Sequence, residues 1–149
     1  EARPFEALRD ISDNHLVTAG VRPKIFVASV GQSQEDRRTA SFVVNLLASG
    51  GLIAVLGEDL DGVEALAAAF AASGSRAAII CASPDATEVI PPLAREFTAL
   101  RARRVYVTGN PGRLETVWRE AGVDGFIRRH ADAVALLTDL LEAEGVDHD

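Results

Sequence analysis

The fold is decided by the stretch Arg22-Pro23-Lys24-Ile25-Phe26-Val27-Ala28-Ser29-Val30-Gly31-Gln32. Its centre is a run of mostly β-branched, aromatic and small apolar residues that ends at a glycine. A run of this kind, without alternation of polar and apolar residues, is typical of a strand that is covered on both faces of a parallel sheet. We therefore predict a buried first strand at Lys24–Val30.

Four further runs of the same character follow along the chain. They are Leu52–Leu56, Arg76–Cys81, Arg104–Thr108 and Val123–Ile127. Between them, apolar residues recur three and four positions apart, which predicts helices. Helix starts are expected at Asp61, Asp85 and Asn110-Pro111, and helix ends at Gly50-Gly51, Gly74 and Gly122.

The strict alternation of strands and helices predicts an α/β fold. Right-handed crossovers then give a doubly wound five-stranded parallel sheet, with the strand order 2-1-3-4-5. Residues 24–145 form this domain. Residues 1–23 are expected to hold a helix at Pro4–Asp13 and a connector at His15–Pro23, and residues 146–149 a polar tail.

The composition excludes several classes of function. The 149 residues carry a formal net charge of −7, which argues against a nucleic-acid-binding face and against docking on anionic lipid. No apolar run approaches the roughly 20 residues of a membrane span. The single cysteine, Cys81, lies in an apolar run and is expected to be buried, which fits a cytoplasmic protein. The absence of an initiator methionine suggests a fragment or a processed product.

Ligands of such a sheet bind beyond the carboxyl ends of its strands. The loops at that edge contain no glycine-rich phosphate motif, and Glu35 and Asp36 would repel a phosphate group. The first strand is not followed by the acidic pair of a receiver domain. The histidines, His15, His130 and His148, have no metal-ligand spacing, and Asp13 precedes the first strand. We therefore predict no catalytic and no metal-binding residue.

The stretch at residues 22–32 resembles the first strand of the cobalamin-binding domain of methylmalonyl-CoA mutases. In that family an Asp-x-His-x-x-Gly motif follows, in which the histidine is the lower cobalt ligand, the aspartate binds that histidine, and the glycine lets the cofactor approach. Aligned on Gly31-Gln32, these three positions hold Ser33, Glu35 and Arg38. A later Gly-Gly pair reads Gly109-Asn110. All of these motif positions are altered.

A scaffold of this kind that carries a degenerate site resembles the small, non-catalytic subunit of the heterodimeric bacterial enzymes. Four further stretches carry the resemblance: Phe5–Asp10, Thr39–Asn45, Ala78–Ser83 and Ala121–Ile127. The resemblance implies a flavodoxin-like, cobalamin-binding-domain-like fold with a structural and assembly role, which binds no cofactor itself. Adenosylcobalamin and the active site that interconverts methylmalonyl-CoA and succinyl-CoA would lie on the partner, the large (alpha) subunit.

Two alternatives remain open: an atypical cobalamin carrier, and an unrelated flavodoxin-like module that binds a small ligand or regulates. The main interpretation adds one structural expectation. A domain that has lost its cofactor should have closed the slot for the nucleotide tail, because an empty cavity is costly. The expected fillers are Phe42, Val43, Ser83 and Pro84, with Arg38 over the mouth.

Overall fold

The computed structural model of the chain describes residues 3–19, 22–31, 34–57, 62–128 and 133–145. The helices are α1 (Arg3–Ala19), α2 (Gln34–Ser49), α3 (Gly62–Ser73), α4 (Ile90–Ala99), α5 (Glu115–Glu120) and α6 (Ala133–Ala143). The strands are β1 (Lys24–Val30), β2 (Ile53–Gly57), β3 (Ala77–Ala82), β4 (Arg104–Thr108) and β5 (Gly125–Ile127). Two 3₁₀ helices, Pro84–Val89 and Gly112–Leu114, precede α4 and α5.

The five strands form one parallel sheet in the order β2-β1-β3-β4-β5. This confirms the predicted doubly wound α/β fold. The predicted bounds of β1 and β4 agree with the structure, whereas β5 begins two residues later than expected. Asp124, just before β5, contacts β4 through its side chain, since its Oδ2 accepts a hydrogen bond from the backbone N–H of Val105 at 2.8 Å.

Each face of the sheet has its own apolar core. Ile25 and Val27 of β1 pack with α1, α2 and α6 on one face, and Phe26 and Ala28 pack with α3, α4 and α5 on the other. Successive side chains of a strand point to opposite faces, so a strand buried on both sides must be apolar throughout. The second core contains an aromatic cluster in which Phe26 lies 5.7 Å from Phe70 and 5.9 Å from Phe97, between ring centres.

The first helix is longer than predicted. The sequence predicts a helix at Pro4–Asp13 and a connector at His15–Pro23, but α1 continues to Ala19. The chain has no glycine or proline between Pro4 and Gly20, so nothing local stops the helix at Asp13. Leu8 is buried in the core beneath α1, which packs against α6. The helix is therefore part of the packed domain.

Three predicted helix starts have different outcomes. Asp85 does not begin a helix, because the 3₁₀ helix starts one residue earlier, at Pro84. Asp61 lies outside the described residues. Asn110 and Pro111 lead into a 3₁₀ helix, and α5 itself begins only at Glu115. The predicted glycine ends are confirmed for α2, α3 and α5. In the part of the chain that the structure describes, no helix is long and apolar enough to cross a membrane.

Candidate functional site

A cleft of about 930 Å³ opens at the carboxyl edge of the sheet. The ends of three strands contribute Ala82, Thr108 and Ile127 to its lining. It lies where the loops after parallel strands meet, which is the usual ligand position in an open α/β sheet. The remaining lining residues come from α2, the two 3₁₀ segments, α4, α5 and the loops after β4 and β5: Arg38, Thr39, Phe42, Pro84, Thr87, Ile90, Gly109, Asn110, Pro111, Leu114, Trp118 and Arg128.

The expectation of a closed slot is wrong. Phe42 remains 38% exposed and forms part of a wall, and Pro84 is also exposed at the cleft. Val43 and Ser83 are buried, but neither lines the cleft as described. The four side chains therefore divide between wall and core. Phe42 and Val43 differ because they are consecutive residues of α2 and point in different directions.

The described lining combines an apolar floor with polar walls. Ile90, Trp118 and Ile127 are buried and supply apolar surface. Threonine hydroxyls and the amide of Asn110 supply hydrogen-bonding groups, and Arg38 and Arg128 supply positive charge. None of the lining residues that the structure describes is an aspartate or a glutamate. The cleft therefore offers apolar surface and cationic groups together.

Asn110 organises one rim of the cleft. Its Oδ1 accepts a hydrogen bond from the backbone N–H of Gly112 at 3.1 Å and another from Nη2 of Arg128 at 3.4 Å. The preceding residue, Gly109, donates its backbone N–H to Ile127 at 2.8 Å, which ties the loop to β5. Gly109 has φ +96°, and a Cβ atom there would meet nothing within 4 Å. The loop thus presents bare backbone to open space.

The described structure brings together only some of the altered motif positions. Ser33 lies outside the described residues. Glu35 is a residue of α2, but the structure does not describe its side chain. Arg38 and Asn110 both line the cleft. Arg128 also lines the cleft, as expected from the sequence, because it directly follows a predicted strand and so lies at the carboxyl edge. Sequence reasoning missed Trp118 as a lining residue.

The other candidate groups lie elsewhere. Cys81 is fully buried in β3, as predicted. Asp13 forms an ion pair with Arg22, with 2.5 Å between Oδ1 and Nη2. His15 lies on α1, and His130 and His148 are outside the described residues. Among the side chains that the structure describes, no group of three or more His, Cys, Asp or Glu residues is arranged to hold a metal ion.

Comparison with known proteins matches the chain to one region of longer proteins. The methylmalonyl-CoA mutase small subunit of Streptomyces virginiae is 36% identical over 143 residues, which are 95% of this chain and 22% of that protein. The probable methylmalonyl-CoA mutase small subunit of Mycobacterium bovis is 32% identical over 145 residues, 97% of this chain and 23% of that protein. The chain thus spans less than a quarter of the length of these curated relatives. No protein-family model matches it.

Among solved structures, a two-component response regulator from Clostridium difficile superposes with a TM-score of 0.60. The superposition covers 82% of this chain and 95% of the regulator, with 11% sequence identity. A likeness at this level of identity shows the fold alone, since one fold hosts many unrelated functions.

Proposed function

We propose that this chain, which is homologous to one stretch of the methylmalonyl-CoA mutase small subunits, is a non-catalytic structural and assembly domain of such a subunit. The complete enzyme would interconvert methylmalonyl-CoA and succinyl-CoA in the cytoplasm. Adenosylcobalamin and the active site would lie on the large subunit. This chain would contact that subunit without binding the cofactor.

The observation that carries the proposal is the loss of the cobalt-binding triplet. Ser33, Glu35 and Arg38 stand where the resembling family has Asp, His and Gly. A carboxylate is a hard oxygen ligand, poorly matched to the role of an imidazole. The family's aspartate supports that histidine, and its position holds Ser33 here. Arg38 also places a long cation on the wall of the cleft.

The open cleft favours one alternative, an atypical cobalamin carrier. Its volume of about 930 Å³ leaves room for a nucleotide tail. The slot is therefore not closed, and its size does not count against cobalamin binding. A carrier of this kind would bind cobalamin without a histidine ligand, through contacts with the nucleotide tail alone. It predicts a measurable affinity for cobalamin, whereas our proposal predicts none.

Titration with hydroxocobalamin followed by visible absorption separates the two candidates. We expect no saturable spectral change at protein concentrations that give a full change with the cobalamin-binding large subunit, the positive control. Saturable binding to this chain would replace our proposal with the carrier. The assembly role is tested by co-expressing the tagged chain with the large subunit. Co-elution of the two in size-exclusion chromatography is expected, and separate elution would contradict the assembly role.

A further inference from the structure

We propose that the cleft at the carboxyl edge binds a small organic phosphate of nucleotide size. Arg38 and Arg128 would hold the phosphate group, and the apolar floor near Trp118 would receive the organic part. The inference goes beyond the proposed structural role and does not depend on it.

Charge is the first observation that supports an anionic ligand. The chain has 22 acidic and 15 basic residues, yet the two charged residues that the structure places in the lining, Arg38 and Arg128, are both cations. The sequence predicts repulsion of phosphate by Glu35 and Asp36, whose side chains the structure does not describe. Guanidinium groups present several N–H donors in a plane, a geometry that suits phosphate oxygens.

The second observation is that Arg128 is held in place before any ligand arrives. Its Nη2 donates to Oδ1 of Asn110, and the same oxygen accepts from the backbone of Gly112. Gly109 fixes the base of this loop to β5. A cation restrained in this way loses less conformational freedom on binding. Arg128 is exposed at the cleft, so an anion can reach its guanidinium group.

The third observation is the apolar surface beside the two arginines. Phe42 on α2 and Leu114 before α5 are exposed by 38% and 41%, although both are large apolar side chains. They come from elements on opposite faces of the sheet and line the same cleft. Pockets of 300–1,000 Å³ with mostly apolar walls and a few polar groups are the usual sites of small ligands. The cleft therefore fits an apolar ring joined to a phosphate group.

The chain contains its own reporter for this test, because Trp118 is the single tryptophan and lines the cleft. The probe is adenosine monophosphate, added while tryptophan fluorescence is recorded at an excitation wavelength that adenine does not absorb, with calorimetry as a second measurement. We expect saturable binding of this probe. Adenosine, which lacks the phosphate group, should bind at least about 10-fold more weakly, since a hydrogen bond to a charged group contributes that much or more. Inorganic phosphate should also bind more weakly, because it lacks the part that buries apolar surface.

Substitutions at the rim locate the site. Arg38→Gln and Arg128→Gln should each weaken binding of adenosine monophosphate by about 10-fold or more. Arg95→Gln, which removes an exposed cation from α4 outside the cleft, is the control matched in charge and should leave binding unchanged. Circular dichroism confirms that each variant is folded.

The inference is overturned if adenosine monophosphate gives no saturable signal by either method, or if adenosine binds equally well. It is also overturned if Arg95→Gln weakens binding as much as the two rim variants do. Saturable binding of hydroxocobalamin would contradict the proposed function instead, so the two failures are distinguishable.

Discussion

The hydroxyl group of Tyr106, on β4, donates a hydrogen bond to Oδ2 of Asp139, on α6. Arg104, two residues earlier on the same strand, donates from Nε to both oxygens of that carboxylate at 3.1 Å. Asp139 thereby joins the sheet to the last helix. Burial of the phenol and its bond to Asp139 raise the pKa of Tyr106 well above its ordinary value of 10, and Asp139 also raises the pKa of Arg104.

Alkaline titration should show this raised pKa directly, because Tyr106 is the single tyrosine of the chain. We expect no tyrosinate absorbance at pH 10 while the protein is folded. The native state holds this proton more tightly than the unfolded state, so the free energy of unfolding should fall as the pH rises above 10. Asp139→Asn should lower the pKa of Tyr106 only in part, since burial remains the larger cause.

The control for this titration is Tyr106→Phe, which should remove the contribution of the phenol to the alkaline loss of stability. Far-ultraviolet circular dichroism shows whether the chain is still folded at each pH. Half-ionisation of Tyr106 at pH 10 in folded protein would contradict the role assigned to burial and Asp139.

Ser12→Ala tests the place of α1 in the domain. The side chain of Ser12 is fully buried, its hydroxyl donates to the backbone carbonyl of Gly51, and Nη1 of Arg22 donates to its Oγ at 3.1 Å. The alanine keeps the packing but removes the partner of a buried carbonyl, which costs about 1–3 kcal/mol. Urea unfolding should therefore show a loss of this size, with the slope unchanged.

The matched control is Ser41→Ala, at an exposed position of α2, where we expect a change within about 0.5 kcal/mol. Equal effects of the two substitutions would mean that the contact between α1 and Gly51 contributes little to stability.

The sequence was sufficient to predict the sheet because the apolar pattern of each strand is local. Residues 24–30 are apolar on both faces, so their burial and strand type follow from the run itself. The predicted end of α1 at Asp13 is wrong because no glycine or proline lies between Asp13 and Gly20 to stop the helix. What packs against α1 depends on Ser12 meeting Gly51, a contact across 39 residues that no local pattern records.

The site was less predictable than the fold. The topology alone places Arg38 and Asn110 at one edge of the sheet, as expected. Whether the space between them is filled depends on the direction in which Phe42 points and on the separation of the helices, which the order of residues does not specify. A lost cofactor need not leave a filled cavity, because an open cleft in contact with water does not carry the packing cost of an empty buried cavity.

Glu144, the first residue after α6, holds the amino end of β3. Its Oε2 accepts hydrogen bonds from the backbone N–H of Arg76 at 2.8 Å and from the hydroxyl of Ser75 at 3.2 Å. Burial raises the pKa of Glu144 above its ordinary value of 4.5, and these hydrogen bonds offset that effect only in part. The native state therefore keeps a proton on Glu144 to a higher pH than the unfolded chain does.

Because of this difference, the free energy of unfolding of the wild type should depend on pH through Glu144. Glu144→Gln should remove that dependence. Below pH 4.5 both states are protonated and the contribution of Glu144 to stability is fully present; it is lost as the pH rises through the raised native pKa. The glutamine keeps an acceptor for Arg76 but does not titrate, so the variant should gain stability relative to the wild type as the pH increases across this window. Urea unfolding from pH 4 to 7 measures the gain, with Glu96→Gln, an exposed position on α4, as the control for net charge. A constant difference between wild type and Glu144→Gln at every pH would show that burial does not raise the pKa of this carboxyl group.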